Sequence, residues 1–110
     1  MVVKKKRKAK PLLIILVIGA VILFSLAGVW MFLAGPVNSK NDETVEVVIP
    51  SGATSRQIGS ILKNKELIKN ELFFNVYIKL NSVGAMKAST YNFSQSMSLD
   101  EIVESLVNGN

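Results

Sequence analysis

No cysteine and no histidine occur in these 110 residues. The first absence excludes a disulfide, a thiolate nucleophile and a thiolate-bound zinc. It also excludes a lipid-modified cysteine: Leu26-Ala27-Gly28 is followed by Val29. The second removes the commonest general base and metal ligand, so no cofactor is expected. Acidic residues number eight, and none precedes Asp42. Between Leu12 and Ala34 there is no Asp, Glu, Lys, Arg, Asn or Gln. At about 1.5 Å of rise per residue this run reaches roughly 35 Å, enough to cross a hydrocarbon core of about 30 Å with some tilt. Only a helix satisfies its own backbone polar groups in that medium. Residues 12–34 are therefore expected to form a transmembrane helix that contacts the lipid bilayer, with Trp30 as an interfacial anchor.

What precedes the run is basic. Lys4-Lys5-Lys6-Arg7-Lys8-Ala9-Lys10 carries six of the thirteen Lys and Arg residues, so residues 1–11 read as a cytoplasmic tail, with everything after Gly35 extracytoplasmic. The tail explains the formal charge of +5; the remainder has seven basic and eight acidic residues. That balance is no nucleic-acid surface, and the tail itself, lacking aromatics, suits topology and anionic-lipid contact. A rival reading is a cleaved signal peptide, because Ser25-Leu26-Ala27 has the small-x-small form of a cleavage site. The apolar run continues past it through Leu33, however, beyond the roughly 7–15 residues of a signal's apolar region. No GxxxG pair marks a helix-dimer face.

Gly35-Pro36 ends the span, and residues 35–44 read as a polar linker. Residues 45–110 read as one small extracytoplasmic domain with a thin core. Val45 to Ile49 is β-branched and reads as a strand, stopped by Pro50-Ser51-Gly52. Thr54 and Gln57 have the spacing of a capping box, opening a helix whose buried stripe is Ile58, Ile61 and Leu62. Asn70 is the expected cap of a second helix, Glu71 to Leu80. Glu71, Asn75 and Lys79 leave it only a narrow polar face, so it is expected to be packed on several sides. Gly84, in the loop that follows, suits positive φ. Lys87 to Ser94 reads as a second strand with Tyr91 and Phe93 on one face. Ser98 and Glu101 cap a third helix, with Leu99, Ile102, Val103 and Leu106 buried and Gly109 as its stop. The order is β-α-α-β-α, an α+β fold in which helices must cover a small sheet.

The segments VVIPSGATSRQIGSIL, NKELIKNELFFNVYIKL and MKASTYNFSQSMSLDEIVESLVNGN resemble the N-terminal extracytoplasmic part of the YceG-like endolytic murein transglycosylases. The matching positions are Ile49, Pro50 and Gly52; Leu67, Ile68, Asn70 and Phe74; Ala88, Tyr91 and Phe93; Met97, Ser98, Glu101, Ile102, Leu106 and Gly109. The family commonly has Gly where Ser89 and Ser96 stand. The resemblance implies a bacterial membrane protein with a LysM-like subdomain facing peptidoglycan. It also implies that lytic activity belongs to a further domain with an essential Glu, to which no glutamate here corresponds, so the chain is not expected to be an enzyme.

The acids read otherwise than as catalysts. Asp42 and Glu43 fall in the linker, Glu71, Asp100 and Glu101 in first helical turns where they favour the helix dipole, and Glu66 among lysines. A LysM-like reading puts a shallow glycan groove between two loops. Its candidate residues are Ser51, Gly52, Ala53 and Thr54 in one, and Asn81, Ser82, Gly84 and Met86 in the other. The alternative is that these residues only turn the chain and cap helices. Tyr77, Tyr91 and Phe93 suit sugar stacking by type, but their spacing suits core packing better. Three functions remain open: a non-catalytic module that binds or scaffolds peptidoglycan; a fragment or split partner of an active lytic transglycosylase; and a protein–protein module for wall-synthesis or division membrane proteins.

Overall fold

The computed structural model describes residues 3–110, with side chains from Lys10 onward. The part of the expected tail at Met1 and Val2 lies outside the described residues. The chain divides into two compact units that meet between Phe32 and Leu33. The first is occupied by helix α1, Val3–Ala34, which runs unbroken through Pro11. Its apolar stretch, Lys10–Ala34, is long enough to cross a membrane. Among the described residues its side chains are mostly exposed, Phe24 at 80%. A bare apolar helix of this length is the form a lipid-embedded segment takes.

The second unit holds strand β1 (Thr44–Ile49), helices α2 (Ser55–Asn64) and α3 (Glu71–Leu80), strand β2 (Ser89–Ser94) and helix α4 (Leu99–Asn108). The expected β-α-α-β-α order stands. The strands pair antiparallel, Thr44 opposite Ser94 and Ile49 opposite Ser89. This register puts Val47 beside Tyr91 and Val45 beside Phe93 on the inner face, while Glu46, Val48, Thr90 and Asn92 face out. Tyr91 and Phe93 stack with centroids 5.2 Å apart, both buried. They are core residues, and a sugar cannot reach them. Leu62, Phe74, Ile102 and Leu106 complete that core. The α2–α3 contact leaves no room at Gly59, where an added Cβ would lie 2.9 Å from the Phe74 ring.

The caps follow from local chemistry. Thr54 Oγ1 accepts from the Gln57 amide and the Gln57 side chain accepts from the Thr54 amide; Ser98 and Glu101 repeat the arrangement on α4. Asn70 Oδ1 accepts from Phe73 N at 2.8 Å. Gly109 ends α4 in the left-handed region, φ 87°.

Three local expectations are corrected. Helix α3 is not packed on several sides: it buries Phe73, Phe74, Tyr77 and Ile78, while Leu72 and Leu80 are 72% and 68% exposed. A narrow polar face signalled enclosure, but α2 and the start of α4, where Asp100 meets Tyr77, supply too little protein to enclose it. In the following loop the positive φ belongs to Ser82, 49°, and not to Gly84. The second strand begins at Ser89, because Lys87 N is taken by Leu106 O at 2.8 Å. The segment read as a linker is also partly tied down: Asn38 N donates to Gln95 O and Ser96 N to Asn41 O.

Candidate functional site

Two loops flank one end of α2 and α3. The β1–α2 turn runs from Pro50 to Thr54. It is closed by the Ala53 amide on Pro50 O at 3.3 Å, with Gly52 at φ 78°. The α3–β2 loop begins with Asn81, whose side chain Nδ2 donates to Tyr77 O at 2.9 Å. Val83 N then donates to Ile78 O at 3.1 Å, folding the loop back over the end of α3. The far end of this loop is pinned twice, by Lys87 N on Leu106 O and by Tyr91 Oη, which donates to Lys87 O at 2.5 Å.

These constraints bring the two loops together over a cleft of about 390 Å³. Ala53 and Ser55 form one wall, Val83 to Met86 the other, and Ile58 and Ile78 the floor. Among the described residues no hydrogen bond uses the backbone amides of Gly84, Ala85 or Met86. The cleft thus offers an apolar floor, with backbone N–H groups among its lining residues that have no intramolecular partner. That combination suits a neutral polar ligand with an apolar patch, such as an N-acetyl group.

The eight sequence-predicted residues separate into four roles. Ala53, Gly84 and Met86 line the cleft. Ser51 and Gly52, again with Ala53, line a neighbouring open hollow of about 460 Å³, where Gln57 and Ser60 supply the polar groups. The Thr54 side chain is committed to its capping box and lies at the edge of a third groove. Asn81 and Ser82 line none of these; the Asn81 amide caps α3 instead. The sequence reading missed Ser55, Val83 and Ala85, which lie between the predicted residues, and the two isoleucines of the floor. Ile58 and Ile78 carry core periodicity, and only the tertiary structure shows that a core side chain also floors a cleft.

Of the acids, Glu101 serves its capping box and Asp100 accepts a hydrogen bond from Tyr77 Oη. Burial, reinforced by that hydrogen bond and by the carboxylate's charge, pushes the Tyr77 phenol up to about 12. The described residues contain no group of three or more acids placed to hold a metal ion.

Comparison with known proteins gives a consistent picture. Residues 47–110 match the YceG-like family. An endolytic murein transglycosylase of Bacillus subtilis is 34% identical over 94 residues, covering 86% of this chain and 25% of its own length. An endolytic murein transglycosylase of Streptococcus pneumoniae is 32% identical over 74 residues, 67% of this chain and 13% of its own length. Among solved structures, a yceG-like protein of Listeria monocytogenes superposes with a TM-score of 0.59 at 36% identity, over 61% of this chain and 22% of that one. The chain therefore spans about a quarter of the Bacillus relative's length.

Proposed function

Because this chain belongs to the YceG-like family, we propose that it is a membrane-anchored, LysM-like module that holds peptidoglycan glycan strands at the outer face of a bacterial membrane, without cleaving them. The observation that carries the reading is the cleft in which the β1–α2 turn meets the 83–86 segment. Its free amides suit the acetamido carbonyl of an aminosugar, and Ile58 and Ile78 suit the sugar's methyl and ring C–H groups. The bare helix α1 supplies the anchor, and the basic residues at its start favour an N-terminus inside. Binding without cleavage fits the way Asp100 and Glu101 of α4 are occupied in the bond to Tyr77 and in capping.

The test is co-sedimentation of the full chain, held in nanodiscs, with purified sacculi. Saturable pelleting that chitin-type oligomers compete away is expected. Gly84→Trp is the blocking variant. An added Cβ at Gly84 meets nothing within 4 Å and its φ is outside the left-handed region, whereas Gly52 at φ 78° resists any side chain. A folded Gly84→Trp that pellets like the parent would overturn the cleft assignment; a parent that fails to pellet would overturn the function.

A second reading rests on how little of its relatives the chain spans. Here the same module presents strands to a lytic domain, either its own or a separate subunit's. Adding the chain to a purified transglycosylase would then raise the rate of sacculus solubilisation, and Gly84→Trp would not.

A further inference from the structure

Helix α3 leaves a row of apolar side chains open. Leu72, Val76 and Leu80 recur every four residues, so they stand one above another on a single face. They are 72%, 40% and 68% exposed. Between this row and the first turn of α2 lies a groove of about 360 Å³, lined by Ser55, Arg56, Leu72, Asn75, Val76 and Lys79. Its floor is apolar and its two rims each carry a cation, Arg56 from α2 and Lys79 from α3. Among the described residues neither cation has a hydrogen-bond or ion-pair partner. The nearest acid on α3 is Glu71, eight residues or about 12 Å along the helix before Lys79. Asn75 Oδ1 is shielded from water and has no donor, an arrangement that costs free energy until a donor is supplied. Asn75 also lines the groove, and its last side-chain torsion is broad, so a turn about it is the route by which that oxygen would meet a ligand there.

The groove therefore calls for three things at once: carboxylate, a small apolar group and an N–H donor. A neutral sugar supplies no carboxylate. A glycerophospholipid headgroup supplies no amide N–H. An acid-bearing peptide supplies all three. Ser55 lines both this groove and the cleft under the 83–86 segment, so the two sites are continuous around the start of α2. We propose that the α2–α3 groove docks the peptide stem of murein. A stem carboxylate lies between Arg56 and Lys79, alanine methyls lie on Leu72 and Val76, and a backbone N–H reaches Asn75 Oδ1. This rests on the reading that the module faces peptidoglycan. It adds a second contact to the same strand, with sugar in the cleft and peptide branching away past Ser55. A guanidinium fits a carboxylate through two parallel hydrogen bonds, so Arg56 is the main determinant.

The full chain in nanodiscs is titrated with the free tetrapeptide L-Ala-γ-D-Glu-L-Lys-D-Ala, read by amide chemical shifts. Shifts confined to the backbone of Arg56, Leu72, Asn75, Val76 and Lys79 are expected. Arg56→Glu with Lys79→Glu should weaken binding by about tenfold or more, and the same peptide with its carboxylates amidated should bind no better to the parent. Both side chains are exposed, so the variant is expected to keep the parent's circular dichroism; Arg56→Gln provides a milder second variant. Absence of tetrapeptide binding, or binding unchanged in both variants, overturns the proposal. Self-association of the chain that Leu72→Asp abolishes, without peptide binding, overturns it in favour of a second copy. Amidase-stripped glycan strands separate this inference from the one beneath it. Pelleting with stripped strands but no peptide binding sinks the groove and leaves the cleft standing. Peptide binding without pelleting on either material sinks the cleft and leaves the groove.

Discussion

Asn41 Nδ2 donates to Gln95 Oε1 at 2.9 Å across 54 positions of sequence. Gln95 is the hub of a small network: its Nε2 donates to Glu66 O at 3.1 Å, and its own carbonyl accepts from Asn38 N at 3.0 Å. Ser96 N closes the circuit onto Asn41 O at 3.1 Å. One side chain thus joins the segment before β1, the α2–α3 turn and the β2–α4 turn. It also holds Glu66 in its left-handed conformation, φ 58°, a cost of order 1 kcal/mol for a residue other than Gly or Asn.

Gln95→Ala removes both side-chain bonds while leaving the backbone ones. Each is worth about 0.5–1.5 kcal/mol, and both are partly solvated, so a loss of about 1–2 kcal/mol is expected in urea unfolding of the full chain. Hydrogen exchange should speed at Ser96 and Asn38 while the amides of β1 and β2 keep their protection. Uniform acceleration across the domain would mean that the network supports the whole core and not the entry segment alone.

Burial of Tyr77, reinforced by its hydrogen bond to Asp100, makes an alkaline pH dependence. The unfolded phenol titrates near 10 and the folded one near 12. Above pH 10 the unfolded chain loses its proton first, so the native state holds more protons and stability falls with rising pH. The contribution is complete below pH 10 and is lost between 10 and 12. Tyr91, whose phenol is also raised by burial, acts in the same direction. Tyr77→Phe should flatten part of the decline in melting temperature above pH 10, and a curve parallel to the parent's would refute the assignment.

Gly59→Ala sets helix propensity against packing. Ala is favoured over Gly by about 1 kcal/mol inside a helix. Its methyl, however, would lie 2.9 Å from Phe74 Cδ2, a ring with no exposure, and overpacking of this kind costs about 1–3 kcal/mol. Net destabilisation of about 1 kcal/mol is predicted by chemical denaturation. The double variant with Phe74→Leu should cost less than the sum of the single ones, because the smaller side chain makes room; simple additivity would show that the two sites do not touch.

Ser98→Ala opens the capping box of α4. The lost acceptor for Glu101 N should cost about 1 kcal/mol. The same change at Thr54 should cost a similar amount and, because Thr54 ends the turn beside the cleft, also weaken pelleting with sacculi. Ser98→Ala should leave pelleting unchanged, which separates loss of stability from loss of the site.

Local rules made much of the domain legible. Thr54-x-x-Gln57 and Ser98-x-x-Glu101 each contain both halves of a reciprocal cap, so a few residues in sequence suffice to place a helix start. The two-residue spacing of Tyr91 and Phe93 placed both on one face of their strand, since side chains on a strand alternate whatever the rest of the protein does. The two loops around the cleft were recognisable as turns, but their division of labour was not. Asn81 and Thr54 have the polar chemistry of ligand contacts and spend it on the backbone beside them, while Ile58 and Ile78 read as core and also floor a cleft.

The sequence by itself determined the apolar helix long enough to span a membrane, the helix caps and the order of elements, because each depends on residues within a turn or two, or on the thickness of a bilayer. Only the tertiary structure decided which face of α3 stays open, that Gln95 gathers in Asn41 and Glu66, and that Ala53 meets Gly84 and Met86. These depend on how much surface the neighbouring elements supply and on contacts between residues far apart in the chain, neither of which periodicity encodes. A pattern such as Leu72, Val76 and Leu80 records that a face is apolar; whether protein, lipid or a ligand covers it is settled by what the fold brings near.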